Sequence, residues 1–210
     1  ESFLEKCSCR EHLEEVGYEV VSDSVFSKIS DTCTPQGVLC VLKQFHYNIE
    51  EMLRDKAPLF LLLENIQDPG NLGTMLRTGE GAGVSGIIMS RDTVDLYNPK
   101  VIRSTMGSIY RVPFYYADDF AAAVHQVQQA GVSVYAAHLR GKNSYACQDY
   151  TKGTAFLIGN EGNGLREETA ELADCYIRIP MEGKVESLNA AVASSILMYE
   201  AHRQRATIEK

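Results

Sequence analysis

The chain has 210 residues, 45% of them hydrophobic and 23% charged, with a net charge of −8. That is enough for one large domain, or one domain with a small appendage, of ordinary globular composition. The longest apolar run, Pro58–Leu63, is far below the roughly 18 residues a membrane-spanning helix needs, and no basic-then-apolar leader opens the chain, so neither a membrane anchor nor a secretion signal is expected.

In chain order, Glu1–Val16 reads as a helix, with Phe3, Leu4, Cys7, Leu13 and Val16 apolar among charges. Tyr18–Val21 reads as a short strand, Ser24–Ile29 as a short helix and Gly37–Lys43 as a strand. These elements bury too little for a good core of their own. Residues 1–47 are therefore read as the C-terminal part of a small α/β domain, with the acidic stretch 48–57 as a linker. From Pro58 the pattern alternates between strand and helix. Strands are predicted at Leu59–Glu64, Gly86–Ser90, Val112–Tyr116, Val132–Ala137, Thr154–Ile158 and Cys175–Ile179. Helices are predicted at Leu72–Ala82, Pro99–Met106, Ala117–Ala130, Arg166–Ala173 and Ser187–Gln204. Apolar strands between helices predict an α/β domain, a mostly parallel sheet covered by helices on both faces.

Ligands of such sheets bind beyond the carboxyl ends of the strands. Three loops fall there: Asn65–Asn71, Gly159–Gly164 and Pro180–Glu186. In the first, Asn71 is placed to cap the following helix, and Arg77 stands where a guanidinium can clamp a phosphate. Gly79-Glu-Gly-Ala-Gly83 imitates a nucleotide loop but ends a helix instead of following a strand, so Gly83 is read as a helix terminator. The second loop, Gly159-Asn-Glu-Gly-Asn-Gly164, does follow a strand. Its glycine order is wrong for a dinucleotide fingerprint, with Ile179 where an acid is required. Leu165 and Arg166 stand where a Walker loop needs Lys and Ser/Thr. Glu161 is either a site carboxylate or a solvated turn residue. In the third segment Ile179 and Leu188 can sandwich a flat ring, and Ser187 and Asn189 can cap the last helix or bind a ligand.

The remaining chemistry is sparse. His12, His46, His125, His138 and His202 have no nucleophile or acid at a telling spacing, which disfavours covalent catalysis. The six cysteines are scattered and read as free thiols of a reducing cytoplasm. Cys7-x-Cys9 has no second ligand pair, so no metal is expected. The acidic balance weighs against nucleic acid. However, Lys100, Arg103 and Arg111 stand between Leu96 and Ala117 without an acid, which leaves room for a local basic surface or merely a solvated helix face.

Taken together, Glu64-Asn-Ile-Gln-Asp-Pro-Gly-Asn-Leu-Gly with Arg77, Leu157-Ile-Gly-Asn-Glu-Gly-Asn-Gly-Leu, and Ile179-Pro-Met through Ser187-Leu-Asn-Ala-Ala-Val-Ala resemble the signature of the SpoU–TrmH family of knotted RNA methyltransferases. The resemblance covers roughly residues 58–205. Residues 17–45 look like the end of the small ribosomal-protein-like RNA-binding domain that often precedes such a catalytic domain. The resemblance implies a C-terminal deep trefoil knot and a homodimer with the site completed across its interface. It implies S-adenosylmethionine as cosubstrate, held by Gly159, Ile179, Leu188, Asn189, Glu161 and Met181, with Ala137, His138 and Leu139 alongside. Methyl transfer to a ribose 2′-hydroxyl of RNA would centre on Arg77, which binds a phosphate and helps deprotonate the hydroxyl. Asn71, Glu161, Ser187 and Asn189 would orient it. The appended domain inclines the substrate to ribosomal rather than transfer RNA. A nucleotide-dependent α/β enzyme of another class and a non-catalytic RNA-binding protein of this fold are the alternatives.

Overall fold

The computed structural model describes Ser8 and Arg10–Ile208; the first part of the helix predicted over Glu1–Val16 and the Cys7-x-Cys9 pair lie outside the described residues. By its contacts the chain divides into Glu1–Phe45 and His46–Lys210. The first unit contains helix α1 (Arg10–Val16) and helix α2 (Asp23–Ile29), the latter capped by Ser22, whose hydroxyl accepts the Val25 N–H. The two strands expected at Tyr18–Val21 and Gly37–Lys43 are absent: both stretches lie in irregular chain, with Val20, Val41 and Leu42 exposed. β-branched residues favour a pleated surface, but a strand exists only where a partner completes its ladder.

The second unit opens with helix α3 (Ile49–Met52) and strand β1 (Leu59–Leu63). Helix α4 (Pro69–Ala82) and strand β2 (Gly86–Ser90) follow, then helix α5 (Pro99–Thr105) and strand β3 (Phe114–Ala117). Helix α6 (Phe120–Gln129) leads to strand β4 (Ser133–Ala137), the short strand β5 (Asn143–Ser144) and strand β6 (Thr154–Ile158). Helix α7 (Glu167–Ala170), strand β7 (Cys175–Arg178) and helix α8 (Ala190–Ile208) complete it. The strands form one seven-stranded sheet in the order β3-β2-β1-β6-β4-β7-β5. Every pairing in it is parallel, with Leu61 at the centre level with Ile87 on one side and Phe156 on the other.

Strand β1 explains why the sheet needs helices on both faces. All five of its side chains are buried, and the pleat sends them alternately up and down. Leu59, Leu61 and Leu63 join Leu72 and Met75 of α4 and Leu197 and Met198 of α8 in one core layer. Phe60 and Leu62 join Ile49 of α3 and Ala123, Val124 and Val127 of α6 in the other.

The helix ends obey local rules. Asp119 caps α6 through the Ala122 N–H, while Asp118 bonds Arg91, so α6 starts three residues after the predicted Ala117. Gly83 ends α4 at φ 78°, a left-handed geometry that glycine adopts at no steric cost, as the sequence suggested. The last helix starts at Ala190, not Ser187. Among the described residues no helix is long and apolar enough to cross a membrane, and no three His, Cys, Asp or Glu side chains form a metal-ion ligand set.

Arg205 ties α8 to the amino-terminal edge of the sheet. Its guanidinium donates to the carbonyls of Tyr150, Ala57, Pro58 and Lys152. Removing it strands carbonyls that are partly withdrawn from water. Arg205→Ala is expected to destabilise the domain by about 2 kcal/mol, the scale of an unmet buried acceptor or two; urea unfolding followed by circular dichroism measures this.

Candidate active site

Because β1 and β6 are neighbours with Leu63 level with Ile158, the loops that leave them run side by side at the carboxyl edge of the sheet. The chain order also turns here, since the chain leaves β1 for β2 on one side and leaves β6 for β7, beyond β4, on the other. Such a switch in strand order is where open α/β sheets leave a crevice.

The first loop enters α4 through Asp68. Its carboxylate accepts the Asn71 N–H, and Pro69 fills the first helical position, where no donor is needed. The expected cap at Asn71 is thereby corrected. The helix starts earlier, and the Asn71 side chain, one turn inside, is free for other partners. It takes two: its Nδ2 donates to Glu161 Oε1 at 3.0 Å, and its Oδ1 accepts Asn189 Nδ2 at 2.9 Å. Glu161 also accepts the backbone N–H groups of Gln67 at 3.1 Å and Asp68 at 3.0 Å. Asn189 caps α8, its Oδ1 accepting from Ala191 and Val192. One hydrogen-bonded chain, Glu161–Asn71–Asn189, thus joins all three segments.

The second loop is folded by its own asparagine. Asn160 Oδ1 accepts the N–H groups of Gly162 and Asn163, and its Nδ2 donates 2.8 Å to the Asn65 carbonyl. Asn65 itself stands at φ 54°, an unusual setting for a residue with a side chain. Asn160 and Gly164 bridge each other, turning the loop back on itself. Gly159 is required where the returning chain crosses. A Cβ built there would lie 2.2 Å from the Gly164 carbonyl carbon and 2.2 Å from the Leu165 nitrogen.

A cleft of about 260 Å³ opens at the ends of β6, β4 and β7. Gly159 and Glu161 of the second loop line it, as do Ala137 at the end of β4 and His138 and Leu139 beyond it. Ile179, Met181, Ser187 and Leu188 supply the far wall, with Ile179, Met181 and Leu188 half-buried. His138 packs against Tyr176, ring centroids 5.1 Å apart, and burial followed by the charge of Arg140 lowers its pKa. Asn189, expected on the cofactor, is not on this wall; its amide faces Asn71. Arg77 stands apart from both groupings. It is exposed on α4, and among the described residues no hydrogen bond or ion pair holds its guanidinium.

The basic stretch is narrower than its sequence suggested. Arg111 is turned onto Glu80, which that guanidinium and the Ser108 hydroxyl hold at a pKa of about 2. Among the described residues, the charges of Lys100 and Arg103 have no ion-pair partner.

Sequence reasoning assigned no role to Glu64, which directly follows β1 with 1% exposure. It accepts the Arg166 backbone N–H at 2.8 Å, the Thr169 hydroxyl and the Arg166 guanidinium. The available signal was a lone carboxylate closing an otherwise apolar strand.

Burial pushes the Glu161 carboxyl up, but the Asn71 amide and the N–H groups of Gln67 and Asp68 outweigh it and hold its pKa below the usual carboxylate value. A carboxylate whose pKa is lowered by folding adds stability above its unfolded value and loses it as pH falls through the folded one. The Gln67 and Asp68 amides are thus expected to resist hydrogen exchange at neutral pH and to lose protection only as the pH drops below the ordinary glutamate range, and to exchange fast at every pH in Glu161→Gln.

The SpoU rRNA Methylase family matches residues 58–199. The chain is 35% identical over 180 residues to the 23S rRNA (guanosine(2553)-2′-O)-methyltransferase RlmP of Bacillus subtilis (strain 168), spanning 86% of this chain and 70% of that protein. Its fold is similar to the AdoMet-bound rRNA methyltransferase of Sinorhizobium meliloti, with TM-score 0.78 and 36% identity over 87% of this chain and 70% of that one. It is also similar to the SpoU methyltransferase AviRb of Streptomyces viridochromogenes in complex with AdoMet, with TM-score 0.84 and 25% identity over 96% and 79% of the two chains. The match runs from the first strand of the sheet well into its last helix and takes in every loop joined by the Glu161–Asn71–Asn189 chain: this protein belongs to the SpoU rRNA methylase family.

Proposed function

We propose that this chain transfers a methyl group from S-adenosylmethionine to a ribose 2′-hydroxyl of RNA, ribosomal RNA rather than transfer RNA. The observation that carries the reading is the Glu161–Asn71–Asn189 chain, which joins three loops beside an apolar-walled cleft in a SpoU-family domain. RlmP and the Sinorhizobium meliloti protein are named as rRNA methyltransferases, and both solved structures contain AdoMet.

The cleft suits that cosubstrate. Ile179, Leu188 and Met181 offer apolar contact to a flat ring, and the close backbone crossing at Gly159 exposes main-chain polar groups in place of side chains. When bound, S-adenosylmethionine supplies an electrophilic methyl group on a sulfonium. Gly159, Ile179, Met181 and Leu188 would hold it, flanked by Ala137, His138 and Leu139. Glu161 accepts three hydrogen bonds from the first loop and α4, so it orients rather than carries a proton. Asn71 passes that order to Asn189, two residues beyond Ser187 of the cleft wall. Arg77, which has no hydrogen-bond or ion-pair partner among the described residues, binds a phosphate beside the target ribose. Its fixed charge makes the 2′-hydroxyl easier to deprotonate; Arg itself stays protonated.

Residues 58–210 form the catalytic domain of this reading, 48–57 the linker, and 1–47 part of an RNA-substrate-binding domain. The separation of contacts at Phe45 supports a boundary nearby. A deep trefoil knot accounts for the strand order β6-β4-β7 and for the tight crossings at Gly159 and Gly141, where a Cβ would lie 2.8 Å from the Ile177 carbonyl carbon. A homodimer accounts for the exposed Val192 and Tyr199 on α8. The place of work is the cytoplasm, where ribosomal RNA is modified.

Calorimetric titration with S-adenosylmethionine, NAD and ATP tests the reading. Binding of the first alone is expected; preference for either nucleotide would favour an enzyme of another class.

A further inference from the structure

The buried carboxylate of Glu64 has a task that neither the sheet nor the cleft explains. A charge at a strand end with 1% exposure is costly unless fully partnered, and an apolar residue there would cost less. Glu64 is fully partnered, and all its side-chain partners lie just past the second loop. Oε2 accepts the Arg166 N–H at 2.8 Å; Oε1 accepts the Thr169 hydroxyl and faces Arg166 Nη1 at 3.4 Å. The other arm of Arg166 bonds Asp92. Burial pushes the Asp92 carboxyl up, but the Ser90 hydroxyl and Arg166 hold its pKa below the usual range. Ser90 Oγ in turn accepts the Asn65 N–H at 2.9 Å, and Gln67 Nε2 donates to the Asp92 carbonyl. The ring closes where the Gln67 N–H meets Glu161. The second loop is therefore pinned at both ends to the first: at its entry through Asn160 and Glu161, and at its exit through Glu64.

We propose that Glu64 is a positioning residue for methyl transfer, fixing the exit of the Gly159–Leu165 loop so that the cofactor wall is preformed. The inference rests on the functional reading above. It assigns Glu64 no contact with either substrate; Glu64 acts through Arg166 and Thr169. Loosening the exit leaves the Glu161–Asn71–Asn189 chain in place, so the defect falls on cofactor affinity and not on turnover.

The test uses the full chain with Glu64→Gln, Thr169→Val and Thr169→Ser, each assayed at a temperature where circular dichroism finds it fully folded. In Glu64→Gln the Kd and KM for S-adenosylmethionine are expected to rise roughly tenfold, within the hundredfold that a displacement of about 1 Å can cost. Its kcat at saturating cofactor should stay near that of the unaltered chain, the pattern of lost uniform binding. Thr169→Val should show the same defect in weaker form, and Thr169→Ser, which keeps the hydroxyl, should restore affinity. Should Glu64→Gln not fold at any temperature, the threonine pair carries the test alone. Unchanged cofactor affinity in the folded variants would overturn the proposal and leave Glu64 a purely structural group; a fall in kcat with KM unmoved would overturn it by moving the effect to the chemical step. An unaltered chain that does not bind S-adenosylmethionine at all would instead overturn the functional reading, and this inference with it.

Discussion

Arg77→Ala is expected to lower methyl transfer by roughly 10²–10⁴-fold, the range removed with a group that assists proton transfer, while S-adenosylmethionine binds as before. The separation follows from geometry. Arg77 is exposed on α4, outside the cleft wall, and bonds to no other side chain among the described residues. Its loss therefore leaves no buried partner unmet, and the fold should keep its stability. Arg77→Lys should recover little, because an ammonium cannot reproduce a two-pronged grip on a phosphate. Single-turnover methylation beside calorimetric titration reads both quantities. Unchanged turnover would remove Arg77 from the reaction.

Gly159→Val should be the most damaging single change. The first atom of any side chain would meet the Gly164–Leu165 peptide at 2.2 Å, and that contact is backbone, which cannot swing aside. The loop would have to open, losing the Asn160–Gly164 bridge and the cleft wall with it. We expect a loss of about 3 kcal/mol or more, as for other severe overpacking and strain, lowering Tm by roughly 6–12 °C for a chain of this size. Cofactor binding should be undetectable even where the variant is folded. Scanning calorimetry with and without S-adenosylmethionine shows both effects: the unaltered chain should gain stability from the ligand by mass action, and the variant should gain none.

These expectations depend on features of unequal visibility in the sequence. The central strands were legible because a parallel strand covered on both faces is apolar throughout, and Gly86–Ser90 and Thr154–Ile158 stand where they were predicted. Strands at Tyr18–Val21 and Gly37–Lys43 were not, since apolar composition says nothing about whether a neighbouring strand exists. The start of α4 was misread by placing Asn71 at the cap, although Pro69 is the stronger mark and points to Asp68. That error hid the most informative side chain of the site, because a capping Asn71 could not have bridged Glu161 and Asn189. The loops themselves were legible from their glycines and asparagines. Their union was not, because hydrogen bonds spanning 90 and 118 positions leave no local pattern. Glu64 escaped for the same reason: its partners lie 102 and 105 positions away.

The central claim is that the cleft and the joined loops serve methylation of an RNA ribose. It is tested most directly by incubating the unaltered chain with ribosomal RNA and S-adenosylmethionine deuterated at the methyl group, then digesting the RNA to nucleosides for mass spectrometry. The account predicts the label on the ribose of one nucleoside, lost in Arg77→Ala. Label on a base, or no label in RNA lacking its native modifications, would contradict it.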